Sequence, residues 1–257
     1  MRLARQLLIQ IRYENKAFWR NPVAAFFTFV FPLMFLVIFN LLFGNEEMTL
    51  EGGTTHVSTF YVPGITAMAV IGACYTNIAI GVSMSRDQGI LKRLKGTPLP
   101  SSIFILSKIA QAIIVALILV AVVTVAGVVF YDVDAPSNTM PAFILTLIIG
   151  AATFSALGLA ITAVIPNADA SSAIVNASVL PLLFISDVFI PLQDAPQWLL
   201  TFAEVFPVKH FSSALGTAFN PFESGAGFEL RNLGILAIWG IGGIIVATRW
   251  FSWEPKR

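Results

Sequence analysis

The sequence has few charged residues and only one cysteine, and both features limit the class of protein to which it can belong. Only 11% of its 257 residues are Asp, Glu, Lys or Arg, whereas 57% are hydrophobic. A soluble domain carries about 25% charged residues, so this chain lacks the polar groups needed to cover a water-exposed surface. The single cysteine, Cys74, lies in an apolar run, which excludes an internal disulfide and provides no metal-binding spacing. A membrane protein is therefore predicted.

Several enzyme signatures are also missing. No Gly-x-x-x-x-Gly-Lys-Ser/Thr loop occurs, so the chain has no phosphate-binding loop of its own for ATP. Gly-x-Ser-x-Gly is absent and the only histidines are His56 and His210, which argues against an intramembrane protease. We therefore expect no catalytic site, metal site or cofactor in this chain. The formal net charge of +1 gives no indication of nucleic-acid binding.

Long apolar runs dominate what is present. A membrane span needs roughly 20 mostly apolar residues, and six segments qualify: 23–43, 60–84, 103–131, 141–165, 171–190 and 233–251. The predicted fold is an all-α polytopic membrane protein in which residues 1–257 form one transmembrane domain. The first run is too long for the hydrophobic region of a signal peptide and lacks an Ala-x-Ala-like cleavage site. We interpret it as the first span.

The region 191–230, between the fifth and sixth spans, is apolar but interrupted. Residues 198–219 contain Glu204, Pro207, Lys209 and His210. A charge at the bilayer centre costs about 2.5–3.5 kcal/mol on insertion scales, and a proline interrupts the hydrogen-bond ladder of a helix. We therefore predict two short half-helices that enter the outer leaflet from outside, instead of a straight span.

The distribution of Lys and Arg predicts the orientation. All of the 15 basic residues except Lys209 and Arg231 fall on one side of a six-span arrangement. Because basic residues are concentrated in cytoplasmic segments, both termini are predicted to be cytoplasmic in a cell membrane. The acidic residues of the predicted loops lean to the other side.

The N-terminal segment 1–21 has the pattern of an amphipathic helix. Its basic face is formed by Arg2, Arg5, Arg12, Lys16 and Arg20, and its apolar face by Leu3, Leu7, Ile11 and Phe18. Glu14 and Ile9 lie on the wrong faces for this pattern. Such a helix lies in the membrane interface, either as an ordinary anchor or with a specific docking role.

The segment 86–102 is basic, cytoplasmic in this orientation and rich in turn residues. Gly89 and Gly96 allow sharp turns, and Pro98 and Pro100 end a preceding helix. Residues 90–95 between them can form a short helix. From composition alone this segment is either a loop that only sets topology or a rigid contact for a separate energy-supplying protein.

Family resemblance distinguishes these two readings. The run Arg86-Asp87-Gln88-Gly89-Ile90-Leu91-Lys92-Arg93-Leu94-Lys95-Gly96-Thr97-Pro98-Leu99 resembles the cytoplasmic motif of ABC-2 permeases. Phe189-Ile190-Pro191-Leu192, Pro196-x-Trp198-Leu199 and Phe206-Pro207 resemble the segment after that family's fifth span. The ending Arg249-Trp250-Phe251-Ser252-Trp253-Glu254-Pro255 is similar to the family's C-terminus. The short outer loops are most similar to those of drug and antibiotic exporters of the daunorubicin-permease kind.

The resemblance implies a permease driven by a separate ATPase subunit, which would bind the ATP and Mg. The coupling residues carried over are Arg86, Asp87, Gly89, Ile90, Leu91, Lys92, Arg93, Leu94, Lys95, Thr97 and Pro98. It also implies a second permease, a copy or a paralogue, and export of a drug-like, antibiotic or lipid-like amphipathic substrate. Ile90, Lys92, Asp187 and Lys209-His210 depart from the family pattern. These departures leave the predicted fold unchanged and weaken the analogy with the substrates of individual family members.

Polar and aromatic residues near the membrane are the candidates for the substrate pathway. They are Asn77, Asn176, Asp187, Phe206 and Lys209. The two asparagines either line a pathway or make interhelical hydrogen bonds, worth about 0.6 kcal/mol on average. Asp187 lies at the interface, contacts a cationic substrate or pairs with Lys209.

A stripe of small residues on the fourth span predicts close helix packing. Its members are Gly150, Ala151, Ser155, Gly158 and Thr162. Two other functional classes remain open at this point. An ion-gradient-driven secondary transporter is the stronger rival, although the predicted spans have almost no ionisable residue at their centres. A structural scaffold is the third class.

Overall fold

The computed structural model describes residues 2–43, 46–50, 53–131, 133–189, 192 and 195–254, and it confirms the all-α fold. Its long helices are α1 (Arg2–Trp19), α2 (Pro22–Phe43), α3 (Ser58–Ile71), α4 (Asn77–Asp87), α6 (Ser101–Tyr131), α7 (Met140–Ile161), α8 (Ala168–Phe184), α10 (Pro207–Phe219) and α11 (Leu230–Trp250). The short helices are α5 (Ile90–Lys95) and α9 (Gln197–Ala203), and a π-helical turn, Gly72–Thr76, joins α3 to α4.

Five of the six predicted spans are helices long and apolar enough to cross a membrane: α2, the continuous stretch from α3 to α4, α6, α7 and α11. The remaining one, α8, has 17 residues, so it begins and ends earlier than the predicted 171–190. A helix of that length covers about 25 Å and lies at the lower limit for a span. It contains Pro181. The structure continues beyond Phe184 as a turn to Phe189.

Contacts between distant residues place α1, α5 and the C-terminal segment at one end of the helix bundle. Lys108, near the start of α6, lies 2.6 Å from Glu14 of α1. The ring of Phe104 lies 5.3 Å from that of Trp253, and Lys95 of α5 lies 3.5 Å from Glu254. This shared end is the arrangement expected when α2, α3–α4, α6, α7, α8 and α11 each run the length of the bundle.

The opposite end contains the interrupted region and a small element that the sequence analysis did not predict. Strands β1 (Glu47–Leu50) and β2 (Gly53–His56) pair antiparallel. They lie between the first and second predicted spans. The two predicted half-helices are present as α9 and α10. Of the predicted region 191–230, positions 191, 193 and 194 lie outside the described residues, as does Ile190 of the predicted fifth span. Thr139 donates to the carbonyl of Ala218 at 2.6 Å, which fastens the start of α7 to the end of α10.

Close helix packing around α7 agrees with the predicted stripe of small residues. A side chain at Gly158 would meet the carbonyl oxygen of Tyr75 at 2.7 Å, and one at Gly150 would meet the ring of Phe211. On the other side of α7, a side chain at Gly240 of α11 would meet Thr153 at 2.8 Å. The Thr153 hydroxyl donates to the carbonyl of Leu236 at 2.9 Å. Small residues therefore let three helices approach closely.

The amphipathic helix α1 packs against α6. This packing explains why Glu14, an acidic residue, lies on the apolar face of α1. Glu14 is half-buried and faces α6, where it pairs with Lys108. Gln10 donates to the same carboxylate at 3.0 Å. The basic residues Arg5, Arg12 and Lys16 are exposed on the other face. Glu14 thus belongs to the inward face of α1 and is not a defect of the pattern.

Candidate functional site

The short helix α5 has the bounds predicted from the sequence, Ile90–Lys95. Gly89 precedes it with φ of 71°, a left-handed conformation that glycine adopts without a steric penalty. The hydroxyl of Thr97 donates to the carbonyl of Leu94 at 2.6 Å and closes the other end. Two turns therefore isolate a rigid, cationic helix from the spans on either side of it.

The side chains of this segment divide into two sets. Exposed residues are Ile90, Lys92, Arg93, Lys95, Thr97 and Pro98. Leu91 is only 2% exposed and belongs to the hydrophobic core, against which Leu94 also packs. Leu91 therefore lies inside the bundle and not on the accessible surface of α5, while its role in coupling to an ATPase stays a prediction. Leu91 anchors α5 to the bundle, and the exposed set forms the accessible surface.

Arg86 was also expected on the coupling surface, but it is 1% exposed and points into the bundle. Its guanidinium donates to the carbonyls of Thr162 at 3.0 Å and Ile165 at 2.7 Å, with a longer bond to Pro166. These carbonyls follow the end of α7, where the helix dipole favours a cation. Hydrogen bonds to charged groups contribute about 1.5–3 kcal/mol each, so Arg86 joins α4 firmly to this turn.

Asp87 makes the matching contact on the next helix. Its Oδ2 accepts a hydrogen bond from the backbone N–H of Ala168 at 2.5 Å. Ala168 is the first residue of α8, a helix end that favours an anion. The turn also has its own cap, because the side chain of Asn167 accepts from Ala170 at 2.9 Å. Arg86 and Asp87, which we call the brace, thus connect the base of α5 to both α7 and α8.

A cavity of about 650 Å³ lies between α2, the π-helical turn and α8; we call it the apolar cavity. Asn77 and Asn176, two of the residues proposed from the sequence for a substrate pathway, both line it. Asn77 donates to the hydroxyl of Thr28 at 2.8 Å, and Asn176 donates to Ser172 at 3.2 Å. Asn77 thus makes an interhelical hydrogen bond, from α4 to α2, which was one of its two predicted roles. The bond of Asn176 stays within α8, and a role of either asparagine in a substrate pathway remains a prediction.

The sequence analysis missed the aromatic lining of this cavity. Its phenylalanines are Phe27, Phe31, Phe35, Phe39, Phe184 and Phe189. The first four recur every fourth residue, which places them along one face of α2. That spacing was visible in the sequence. From Phe31 onward the rings form a continuous row, with Phe31 and Phe35 centred 4.8 Å apart, Phe35 and Phe39 5.8 Å apart, and Phe39 6.2 Å from Phe189.

The remaining pathway candidates lie outside this cavity. Asp187 forms an ion pair with Lys209, which was one of the three alternatives for its role. Its Oδ1 also accepts from the backbone N–H of Leu192 at 2.8 Å, and its φ of 53° is left-handed. This pair fastens the turn after α8 to α10. Phe206 packs elsewhere, with its ring 6.4 Å from that of Trp239 on α11.

His210 is a buried structural residue in this arrangement. Its two ring nitrogens lie 2.7 Å from Asn232 Oδ1 and 2.8 Å from the carbonyl oxygen of Glu204. The side chain of Asn232 in turn donates to Glu229 at 3.4 Å. His210 therefore connects the junction of α9 and α10 to the start of α11.

Comparison with known proteins agrees with this architecture. The model of the ABC-2 type transporter family matches residues 5–219. A putative transport permease, ycf38, of Porphyra purpurea is 26% identical over 209 residues, which cover 81% of this chain and 69% of the relative. The daunorubicin resistance ABC transporter permease protein DrrB1 of Streptomyces coeruleorubidus is 23% identical over 201 residues, 77% of this chain and 69% of the relative.

A third relative, the inner membrane transport permease YadH of Escherichia coli, is 24% identical over 211 residues, or 79% of this chain and 82% of the relative. The family match extends from α1 to the end of α10 and thus includes α5, the brace and the apolar cavity. The chain belongs to the ABC-2 type transporter family and is a transmembrane subunit of an ABC transporter.

Proposed function

We propose that this protein is the permease of an ATP-driven exporter, and that a separate ATPase subunit docks on the exposed surface of α5. The ATPase would bind ATP and Mg, and the permease would move a drug-like, antibiotic or lipid-like amphipathic substrate outward. The substrate would come from the cytoplasm or the inner leaflet. Two permeases and two ATPases form the proposed working unit, in which the second permease is a copy or a paralogue.

The observation that carries this proposal is the connection from α5 to the apolar cavity. The brace lies directly before α5 and binds the first residue of α8 through Asp87. Helix α8 contributes Asn176, Val179 and Leu183 to the cavity wall. A push on α5 would therefore reach the wall of the cavity through side chains that are already hydrogen-bonded.

The shape and chemistry of the cavity support an amphipathic or apolar substrate. A volume of about 650 Å³ falls within the 300–1,000 Å³ typical of ligand pockets. Its walls are mostly aromatic and aliphatic, with a few amide and hydroxyl groups from Thr28, Asn77 and Asn176. Such walls bind apolar surface, and the few polar groups set its orientation.

The proposed orientation places α1, α5 and the C-terminal segment in the cytoplasm. The basic residues are concentrated at this end of the bundle, as the positive-inside rule requires. The exposed basic face of α1 then lies against anionic headgroups. Strands β1 and β2 and the half-helices α9 and α10 lie at the outer end, where they would cap the exit of the pathway.

The alternative, a secondary transporter, has little support from the described residues. Ion coupling relies on ionisable groups near the middle of the membrane. Within α2, α3, α7 and the π-helical turn no residue is acidic or basic. The one acidic residue in α8, Asp169, lies in its first turn. Ion coupling would therefore need groups that these segments do not supply.

Two experiments test the proposal. A tagged chain expressed in its native host should co-purify with an ATPase that carries a phosphate-binding loop. Vesicles that contain the pair should accumulate a fluorescent amphiphile with ATP and lose this activity when the ATPase's catalytic glutamate is replaced. Accumulation driven by an ion gradient without ATP, or without any ATPase present, would refute the exporter and favour the secondary transporter.

A further inference from the structure

A second cavity, of about 520 Å³, lies at the cytoplasmic end of the bundle in the proposed orientation. It is enclosed by α1, α2, α4 and α6, and we call it the polar cavity. Its polar lining residues are Glu14, Asn21, Asn77, Ser85, Gln88, Lys108 and Gln111. Because α1 is the interfacial helix, the cavity lies at the depth of the inner-leaflet headgroups.

The charges of the polar cavity balance. Glu14 and Lys108 are the charged residues among its described lining, and their side chains lie 2.6 Å apart. Both are shielded from solvent, with 11% and 21% of their side-chain surfaces exposed. An anionic or cationic ligand would therefore meet one attractive and one repulsive group. A ligand that carries both charges could contact both.

An unused amide lies beside this ion pair. Gln111 is three residues after Lys108 on α6, so the two side chains share a face. Gln111 is only 8% exposed, yet its amide has no hydrogen-bond partner among the residues that the structure describes. Its amide atoms are not fully buried and Gln111 lines the polar cavity, so a polar ligand there could form a hydrogen bond with this amide.

The polar cavity and the apolar cavity meet. Phe27, Ala73 and Asn77 line both of them. Asn77 Nδ2 donates to Thr28, whereas its Oδ1 has no hydrogen-bond partner among the described residues. A molecule with a polar head and an apolar tail could thus occupy both cavities at once, with Asn77 at the junction.

We propose that these joined cavities bind a zwitterionic amphiphile, with its head beside Glu14, Lys108 and Gln111 and its hydrocarbon tail along the phenylalanines of α2. This inference deepens the proposed function, because it names a class of molecule that enters from the inner leaflet. The head pairs its cation with Glu14 and its anion with Lys108. The tail follows Phe27 and Phe31 into the apolar cavity.

The test uses the purified permease alone, in nanodiscs of phosphatidylglycerol. Three photoreactive probes share one alkyl chain and carry a phosphocholine, a sulfate or a trimethylammonium head. We expect the phosphocholine probe to label residues of both cavities most strongly. Gln111→Leu, which removes the amide but keeps the bulk, should weaken this labelling about threefold to tenfold. Leu106→Gln, on an exposed position of the same helix, should leave labelling unchanged.

Variants that change the charges of Glu14 and Lys108 separate an electrostatic preference for the head group from an effect of side-chain packing. Glu14→Gln leaves Lys108 unpaired and should shift the preference to the sulfate probe. The exchange Glu14→Lys with Lys108→Glu restores balance and should restore the phosphocholine preference. The proposal is overturned if all three probes label the wild type equally, or if the preference among the probes is the same in the charge variants as in the wild type. Thermal unfolding of each variant separates a lost site from a lost fold.

Two sources of the zwitterion give different results. If a phospholipid headgroup is the occupant, adding phosphatidylethanolamine to the nanodiscs should compete with the phosphocholine probe. If a free amphiphile is the occupant, this addition should have little effect. The site fails separately from the proposed function: unselective labelling together with intact ATP-driven transport refutes only the site, and selective labelling without any ATP-driven transport refutes only the exporter.

Discussion

The guanidinium of Arg86 lies 3.0 Å from the carbonyl oxygen of Thr162, although 76 residues separate them in the chain. Arg86 is four residues before the first residue of the proposed docking helix α5, and Thr162 follows the last residue of α7. With Asp87 bound to the start of α8, this contact makes the docking helix part of the same rigid unit as the cavity wall. The predictions below test this unit and the elements around it.

Replacing Arg86 by alanine should separate ATP hydrolysis from transport. The variant leaves the carbonyls of Thr162 and Ile165 without their donor, so α7 and α8 no longer follow α5. We expect ATPase activity of the complex within about twofold of wild type and transport reduced at least about tenfold, the effect of roughly 1.4 kcal/mol of lost coupling. Both are measured in vesicles with the co-purified ATPase.

Two variants control the Arg86 experiment. Arg86→Lys keeps the charge but replaces the two guanidinium nitrogens that bind Thr162 and Ile165 by a single ammonium nitrogen, so its transport should be intermediate. Arg231→Ala removes an arginine that is 72% exposed in its side chain, and it should behave as wild type. Full transport by Arg86→Ala would show that the brace does not transmit the movement of α5.

Variants of neighbouring residues in α5 should have different effects. Ile90 is 49% exposed, so Ile90→Asp should remove the ATPase from the purified complex while the permease remains folded. Leu91→Asp places a charge in the core and should reduce the folded yield instead. Co-purification and size-exclusion chromatography distinguish the two outcomes. Ile90→Val, the matched control, should retain the ATPase.

Asp187 should tolerate asparagine better than alanine. Asparagine adopts left-handed φ values more readily than other residues with a side chain, and its oxygen can still accept from Leu192. Alanine loses both advantages and the pair with Lys209. Strained backbone costs about 1–3 kcal/mol, so Asp187→Ala should lower the unfolding temperature by a few degrees, and more than Asp187→Asn. Equal unfolding temperatures would contradict this account.

Glycines in α7 and α10 should respond oppositely to alanine. A side chain at Gly158 would lie 2.7 Å from the carbonyl oxygen of Tyr75, so Gly158→Ala should lower stability by about 1–3 kcal/mol through overpacking. Gly216 has no atom within 4 Å of such a side chain among its described neighbours. Gly216→Ala should therefore raise stability by about 0.5–1 kcal/mol. Thermal unfolding in detergent measures both.

Filling the apolar cavity should stop transport without stopping ATP hydrolysis. Gly72 lines the cavity, and a β-carbon built on it meets no described atom within 4 Å. A larger residue can therefore begin its side chain there without a clash, so Gly72→Phe should add a ring to the cavity wall, whereas Gly72→Ala adds only a methyl group. Transport should be lost in the first and kept in the second. Transport by both would place the pathway elsewhere.

The sequence alone determined five of the six spans, the segregation of basic residues and the bounds of α5. Each of these depends on local properties: apolar length, charge count and the turn residues that flank a short helix. A span must satisfy its backbone hydrogen bonds within its own segment, so composition over about 20 residues is sufficient to identify it. The regular spacing of phenylalanines in α2 was also present in the sequence.

The tertiary structure decided which side chains face inward. Arg86, Asp87 and Leu91 belong to a motif that looks uniformly cytoplasmic in sequence, yet they bind or pack against residues of the bundle. Arg86 and Asp87 bind the end of α7 and the start of α8, at residues more than 70 positions away in the chain, and only helix packing brings these groups within hydrogen-bond distance. The pairing of Glu14 with Lys108 arose in the same way. Which side chains pair with each other depends on where the helices cross, and the sequence of a single segment does not show where that is.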